Sequence, residues 1–554
     1  MSSSFQSLKL VFVFLFCLGS TQLFAQKILT NQQWQEDLAF LQETVHKDHS
    51  FLFKKVSAAD FDAEVAKLKA AIPTMADHEV MVGLQRIVSL FKYGHTDMGF
   101  KGAIPYHKLP INLYDYKDGM YIEGGHQSQA KVIGAKVIAI EGMSISDALE
   151  KIKPTVPIEN AHYFKAFGIS NLLIPEVLHA QRITSTLQKK ITFTLEKNGS
   201  TFQHTFDAWK SEDVPRTEYS RMKVEGEWLS ARSQEVTPLY LKDLDKIYYY
   251  EYLAAEKTVY VRHSKIRDDS EENIKAFYKR VFEFIENNDV EKFILDVRLN
   301  GGGNNFLNKP IITGVIESKK INQPGKFITI IGRRTFSACQ NLVNRLNNYT
   351  NVTFVGEMSS ENVNFYGDAR TYKLPNSEFP VYLSFAWWQD NAPWDNPSGM
   401  IPEVPVMMTF DEYASNKDPE LEAALAFKVE NAVIDPMERL TELFTAGKMG
   451  EVEAEAARMI KDPAYSYYDF ESEFVSAADQ LLTGGNLQGG MFVLQLVTKS
   501  FPESGPAWAT MGKGLEMMKD AGKAKEMYQK ALQLDPKGTA GKMAKERLMA
   551  LEKE

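Results

Sequence analysis

Apolar residues recur along this chain with different periods, and each change of period marks a change of architecture. Between residues 30 and 92 the spacing is helical: Trp34, Leu38, Leu41 and Val45 share one face, as do Phe61, Val65 and Leu68. From about 105 to 210 short strand-like stretches take over, clearest at Lys136–Ile140 and 190–195, with Gly134 and Gly142 as punctuation. A charged, irregular connection runs from about 211 to 240. From about 245 to 410, apolar strands at 259–261, 293–295 and Phe327–Ile331 alternate with helices, the best formed around Ile274, Phe277, Val281 and Phe284. Such alternation predicts a largely parallel sheet covered by helices. Beyond 420 the strand signal vanishes, and helices are predicted over 440–459, 471–482, 489–497, 507–518 and 522–532.

The first 25 residues follow another logic. Lys9 precedes an apolar run over 10–18, then come small and polar residues and Leu23-Phe24-Ala25, the layout of a cleaved secretory signal with Gln26 as mature N-terminus. The run is short for a membrane span. Cys17 lacks the small residues that precede a lipidated cysteine, so a soluble exported protein, periplasmic or secreted, is expected. Cys339 is then the only cysteine of the mature chain and an internal disulfide is excluded.

Length and composition change this picture little. A chain of 554 residues needs more than one core, and 44% hydrophobic with 24% charged residues is globular composition. The net charge of −9 is spread along the chain, which speaks against nucleic acid. No paired-histidine helix or phosphate loop stands out, so neither a metal nor a cofactor is expected.

Two segments carry candidate chemistry. In 293–303 an apolar strand runs into Asn300 and the glycines Gly301, Gly302 and Gly303. Glycine permits positive φ and close approach, which suits a strand end aiming amides at a developing oxyanion; a plain turn is the simpler alternative. In Thr335-Phe336-Ser337-Ala338-Cys339 a serine stands between a strand and a helix. There its Oγ is presented and the next amide faces a substrate carbonyl, although serine is also a common helix cap. Cys339, two residues on, is expected to face the helix interior.

In series these segments resemble the tail-specific (C-terminal-processing) serine proteases. Asp296-Val297-Arg298-Leu299-Asn300-Gly301-Gly302-Gly303 is similar to that family's Asp-x-Arg-x-Asn-x-Gly-Gly signature, and Thr335-x-Ser337-Ala338 to its nucleophile motif. Val355-Gly356-Glu357 and Gly399-Met400-Ile401-Pro402-Glu403-Val404 resemble later landmarks, with Glu403 where aspartate is usual. The resemblance covers about 245 to 410 well and the preceding region loosely. It implies a crotonase-like catalytic domain, Ser337 as nucleophile, and an oxyanion hole from Ala338 with Gly302 or Gly303.

Many members use a Ser–Lys dyad, but here no lysine lies between 337 and 372, and Asn362 stands near the place of that lysine. The tricorn-like subgroup uses a histidine in a Gly/Ser-His-Thr motif after the N-terminal helices, which Gly94-His95-Thr96 resembles. Imidazole takes a serine proton at neutral pH. A surface or helix-capping role is the alternative for His95. That subgroup's acid precedes the Pro-Asp landmark, where Trp394-Asp395-Asn396-Pro397-Ser398-Gly399 places Asp395; an Asx-turn explains the same residue. Gly94 stands where a second serine can occur, and Tyr93 where aspartate is common.

The expected organisation is an α/β multidomain chain: signal 1–25, N-terminal helical segment 26–104 carrying His95, a degenerate PDZ-like β-rich domain and connection 105–240, crotonase-like catalytic domain 241–415, and helical domain 416–554. The PDZ likeness rests on Gly134-Ala-Lys-Val-Ile-Ala-Ile-Glu-Gly142, without an evident carboxylate-binding loop. Ala507-Trp508, Gly512, Ala524, Tyr528, Ala531 and Pro536 resemble a tetratricopeptide repeat, a helix pair that stacks on neighbours and can seat a protein partner. The expected substrate is a peptide or unfolded protein; a non-catalytic ligand-binding or scaffold protein on the same fold is the alternative. Phe385, Trp387 and Trp388 are expected in the core, the lining of a substrate cleft being the alternative.

Overall fold

The computed structural model describes residues 29–99, 105–428, 435–462, 465 and 468–552. The expected signal sequence at 1–25 lies outside these residues. The chain is a mixed α/β protein with several separate cores.

Three helices open it. Asn31–Asp48 starts on a capping box in which Thr30 and Gln33 satisfy each other's amides, and it buries Trp34, Leu38, Leu41 and Val45 as the spacing predicts. Ala58–Ala71, capped by Ser57, buries Phe61, Val65 and Leu68. Asp77–Ser89 is buried on nearly every side and leads into the His95 loop. An antiparallel sheet follows, ordered Ile111–Tyr116, Gly119–His126, Lys136–Ile140, Lys190–Lys197 and Ser200–Asp207. Ile191, Phe193 and Leu195 alternate into its core.

The second sheet has six strands in the order Tyr248–Leu253, Thr258–His263, Lys292–Asp296, Phe327–Ile331, Val352–Gly356 and Val404–Pro405. Its first pair is antiparallel and every other pair is parallel. Alternate residues of one strand enter different cores. Val259, Val261, Phe293, Leu295 and Phe327 pack under the helices Ile274–Asn287, Lys309–Glu317 and Ala338–Tyr349, whereas Tyr260, Ile294, Ile328 and Ile330 meet Ala424 and Phe427 on the other face. Burial on both faces is why these strands read as continuous apolar runs.

A hairpin, Phe365–Lys373 with Pro380–Trp388, leaves this sheet and joins the N-terminal core through Tyr366, Leu374, Phe379, Val381 and Leu383. Asp37, fully buried, accepts the amides of Asn376 (2.7 Å) and Ser377 (2.8 Å) and so fixes the hairpin turn on the first helix. The expected burial of the aromatic run is corrected here: Phe385 and Trp387 are 43% and 38% exposed, because the strand's outer face has no layer over it.

Helices occupy the C-terminal part. The predicted helix 440–459 is two, Pro436–Thr445 and Met449–Lys461, separated at Gly447, whose φ of +74° no helix interior accepts. Beyond them Phe470–Thr483, Leu487–Ser500, Gly505–Met517, Ala521–Leu534 and Thr539–Leu551 pack in succession. Their contacts close because small residues face large ones: a Cβ on Gly512 would lie 2.7 Å from the Tyr528 ring. No described helix is long and apolar enough to cross a membrane.

Candidate active site

The Asp296–Gly303 segment is scaffolding that ends in a close approach. Arg298 donates through Nε to Asp296 (3.0 Å) and through Nη1 to Asp418 (2.7 Å) and Glu420 (3.3 Å), all buried, and Tyr260 donates to Asp296 at 2.8 Å. Asn300 donates to the His263 carbonyl at 2.9 Å and accepts the Gly302 amide at 2.9 Å, which folds the strand end back. Gly302 then sits at φ +93° where a Cβ would lie 2.6 Å from Ser337 Cβ; at Gly303, with φ +147°, a Cβ would lie 2.2 Å from the Ile266 carbonyl oxygen. Only glycine fits either place.

Ser337 arrives from the other side. Beyond strand Phe327–Ile331 the chain turns tightly, Thr335 Oγ1 accepting the Gly332 amide (3.0 Å) and donating to Val297 (3.1 Å). Ser337 itself has φ +58° and ψ −129°, a conformation that costs a non-glycine residue about 1–3 kcal/mol and is held by its surroundings. Helix Ala338–Tyr349 begins immediately after it, yet the Ser337 side chain caps nothing. Its Oγ lies 3.0 Å from His95 Nε2 instead.

The His95 loop is bolted on several sides. Asp97 pairs with Tyr382 of the hairpin through two backbone hydrogen bonds (3.0 and 2.9 Å), Thr96 Oγ1 meets Ser384 Oγ at 2.7 Å, and Tyr163 donates to the Gly94 carbonyl at 3.0 Å. The imidazole lies flat on Phe336, centroids 4.5 Å apart at 15°, with Phe365 near-parallel at 5.9 Å. Gly94 is glycine for want of space: a Cβ would stand 2.4 Å from the Tyr163 ring and 2.9 Å from Phe336.

The third member is Glu361, which sequence reasoning missed. Its Oε1 lies 2.9 Å from His95 Nδ1, close in distance though off the line of a well-formed hydrogen bond. Its Oε2 accepts the Ser337 amide. Asp395, expected in this role, is exposed and accepts from Asn391 Nδ2 at 2.8 Å; its loop, with Trp394 89% exposed, lies on the surface. The available clue was Glu361 itself, next to Asn362 where a lysine was sought.

Burial pushes the Glu361 carboxyl up to about 7 against the pull of His95. A second buried carboxylate, Glu159, accepts the Gly94 amide at 2.9 Å and lies 3.7 Å from Lys55 Nζ; burial raises its proton affinity also. For His95, burial alone favours the neutral ring, but Glu361 and then Glu159 outweigh it and the imidazole pKa is raised. Cys339 is fully buried, and burial pushes its thiol far up, so it stays an inert packing group.

Of the expected oxyanion donors the structure separates two kinds. The Gly302 amide is committed to Asn300 Oδ1, whereas those of Gly303 and Ala338 donate to no group among the described residues and line a cleft of about 250 Å3 beside Ser337. Among the described residues no cluster of three or more His, Cys, Asp or Glu forms a metal site.

No family model and no curated protein matches the chain. Solved structures resemble it at low identity. Mature CPAF is 11% identical, with 73% of this chain and 99% of that chain covered and a TM-score of 0.48. For the photosystem II D1 C-terminal processing protease the values are 12%, 72%, 97% and 0.32. A putative peptidase from Parabacteroides merdae ATCC 43184 gives 15%, 73%, 100% and 0.35. These similarities are low, and the chemistry of the site stands on its own side chains.

Proposed function

We propose that this chain is an exported serine peptidase of the tail-specific, tricorn-like kind its motifs resemble, hydrolysing peptide bonds through Ser337, His95 and Glu361. The observation that carries the reading is the close approach of Ser337 Oγ to His95 Nε2, 3.0 Å, and of the buried Glu361 carboxylate to His95 Nδ1, 2.9 Å. His95 Nε2 takes the Ser337 proton as Oγ attacks the peptide carbonyl. Negative charge gathering on the carbonyl oxygen meets the Gly303 and Ala338 amides; a donor of this kind is worth about 3–4 kcal/mol in the transition state. Imidazolium, stabilised by Glu361, returns the proton to the leaving amine, and the acyl-enzyme forms. A water deprotonated by His95 then releases the acid product.

Within this reading the six-stranded domain is the crotonase-like catalytic part, and the antiparallel sheet a degenerate PDZ-like module with a structural role. The C-terminal helix pairs are repeat-like and offered to a protein partner; exposed Met517, Met518 and Met549 favour such a contact. Incubation with unfolded casein is the test. Wild type yields fragments and Ser337→Ala yields none. Intact casein with both proteins, or equal cleavage by both, returns the chain to the binding-protein alternative.

A further inference from the structure

Glu159 is the buried carboxylate that the catalytic scheme leaves unused. Its side chain has no exposed surface. Oε2 accepts the Gly94 amide at 2.9 Å, whereas Oε1 is buried and accepts no hydrogen bond among the described residues. A carboxylate oxygen so placed has lost water without gaining a donor, and a nearby cation is what keeps such a group charged.

Lys55 is that cation. It stands in the turn before helix Ala58–Ala71, and its Nζ lies 3.7 Å from Glu159 Oε1. The same Nζ donates to the Lys92 carbonyl at 2.9 Å and lies 4.3 Å from the centre of the Tyr93 ring. Lys55 therefore holds Lys92 and Tyr93, its partner Glu159 holds Gly94, and His95 follows directly. The backbone needs such support: Lys92 has φ +52°, a left-handed conformation that a non-glycine residue keeps only where its surroundings impose it. The Lys55 side chain is 26% exposed, so its head keeps water on one side and escapes the full penalty of a buried charge.

Charges face this pair from several elements. Glu159, Glu361 and Lys92 act on Lys55, and Glu361, Glu159 and Asp368 act on His95. Tyr93 and Tyr163 pack on the loop as neutral phenols, since burial raises both. At Glu159 burial favours the protonated acid, and Lys55 is the strongest opposing influence, ahead of the Gly94 amide and His95.

We propose that Lys55 is a positioning residue of the site, the countercation that keeps Glu159 ionised and the tie that holds Lys92–Gly94 against the N-terminal helices. The proposal rests on the peptidase reading above. Lys55 touches no reacting atom and acts on His95 through Glu159. Without it, Glu159 takes up a proton, still accepts the Gly94 amide, and no longer supports positive charge on the imidazole.

The test is the pH dependence of fluorophosphonate labelling in the full chain, each variant scaled to its own plateau. Lys55→Met keeps the apolar stem and removes the charge; its midpoint should move to lower pH by about half a unit, and Lys55→Arg should keep the wild-type midpoint. Lys55→Gln is a second neutral variant with the same expected shift. Glu159→Gln should match Lys55→Met, and the double variant should shift no further than either, because both remove the same charge. A lysine that merely braces the loop would change the plateau and leave the midpoint in place. An unmoved or raised midpoint in the folded neutral variants, a double variant that shifts by the sum of the singles, or neutral variants that do not fold while Lys55→Arg does, overturns the proposal and leaves the peptidase reading standing. A folded wild type that stays unlabelled at every pH overturns both.

Discussion

Glu361 Oε1 lies 2.9 Å from His95 Nδ1, so the carboxylate that meets the imidazole stands only 24 residues after Ser337 in the chain. Its other oxygen accepts the Ser337 amide, and one carboxylate thereby touches both Ser337 and His95.

Glu361→Gln keeps the shape and removes the charge that stabilises imidazolium. Acylation should fall by about 10²–10⁴-fold, as for loss of a triad acid elsewhere. Asp395→Asn, on the exposed loop, should stay within about two-fold of wild type, the usual result away from a site. The rate of fluorophosphonate labelling measures both. A large loss in Asp395→Asn with little in Glu361→Gln would restore Asp395 to the acid role.

Reactivity should depend on pH with a definite sign. His95 acts as a base only when neutral, and its pKa is raised above the ordinary 6.5, burial being outweighed by Glu361 and Glu159. Labelling should therefore be slow at low pH and rise through a midpoint above 6.5. Removing one of the negative charges around His95, in Glu159→Gln, should move that midpoint to lower pH. A lost backbone contact to Gly94 would slow the reaction without moving the midpoint, so the shift separates electrostatics from positioning.

Arg298 is the one cation that pairs with Asp296, Asp418 and Glu420 in a buried network. Arg298→Met leaves three carboxylates together without a cation, and stability should fall by about 3–5 kcal/mol, as when one partner of a buried pair is removed. Denaturant unfolding gives the value. A change under about 1 kcal/mol would mean that the network is hydrated, with the weak energetics of a surface pair.

Much of the fold was legible because burial imprints period. Trp34, Leu38, Leu41 and Val45 face one core, and the doubly covered strands read as solid apolar runs. The helix expected over 440–459 failed at Gly447 since periodicity continues across a two-helix turn while φ does not. Phe385 and Trp387 misled because aromatic content does not tell which face of a hairpin is covered. At the site, Ser337 and the glycines stood out only in series, through the family motifs they resemble, since the serine alone reads as a helix cap and the glycines as a turn, and His95 through its Gly-His-Thr motif. Glu361 did not, because its role comes from burial and from the fold bringing distant segments together, neither of which has a local signature.

Mapping the adduct left by a fluorophosphonate, by intact mass and then peptide fragmentation, bears on the catalytic line most directly. A single adduct on Ser337 in the wild type, with its formation abolished in folded His95→Ala, is the expected result. An adduct on another residue, no adduct on a folded wild type, or full labelling of His95→Ala would contradict it.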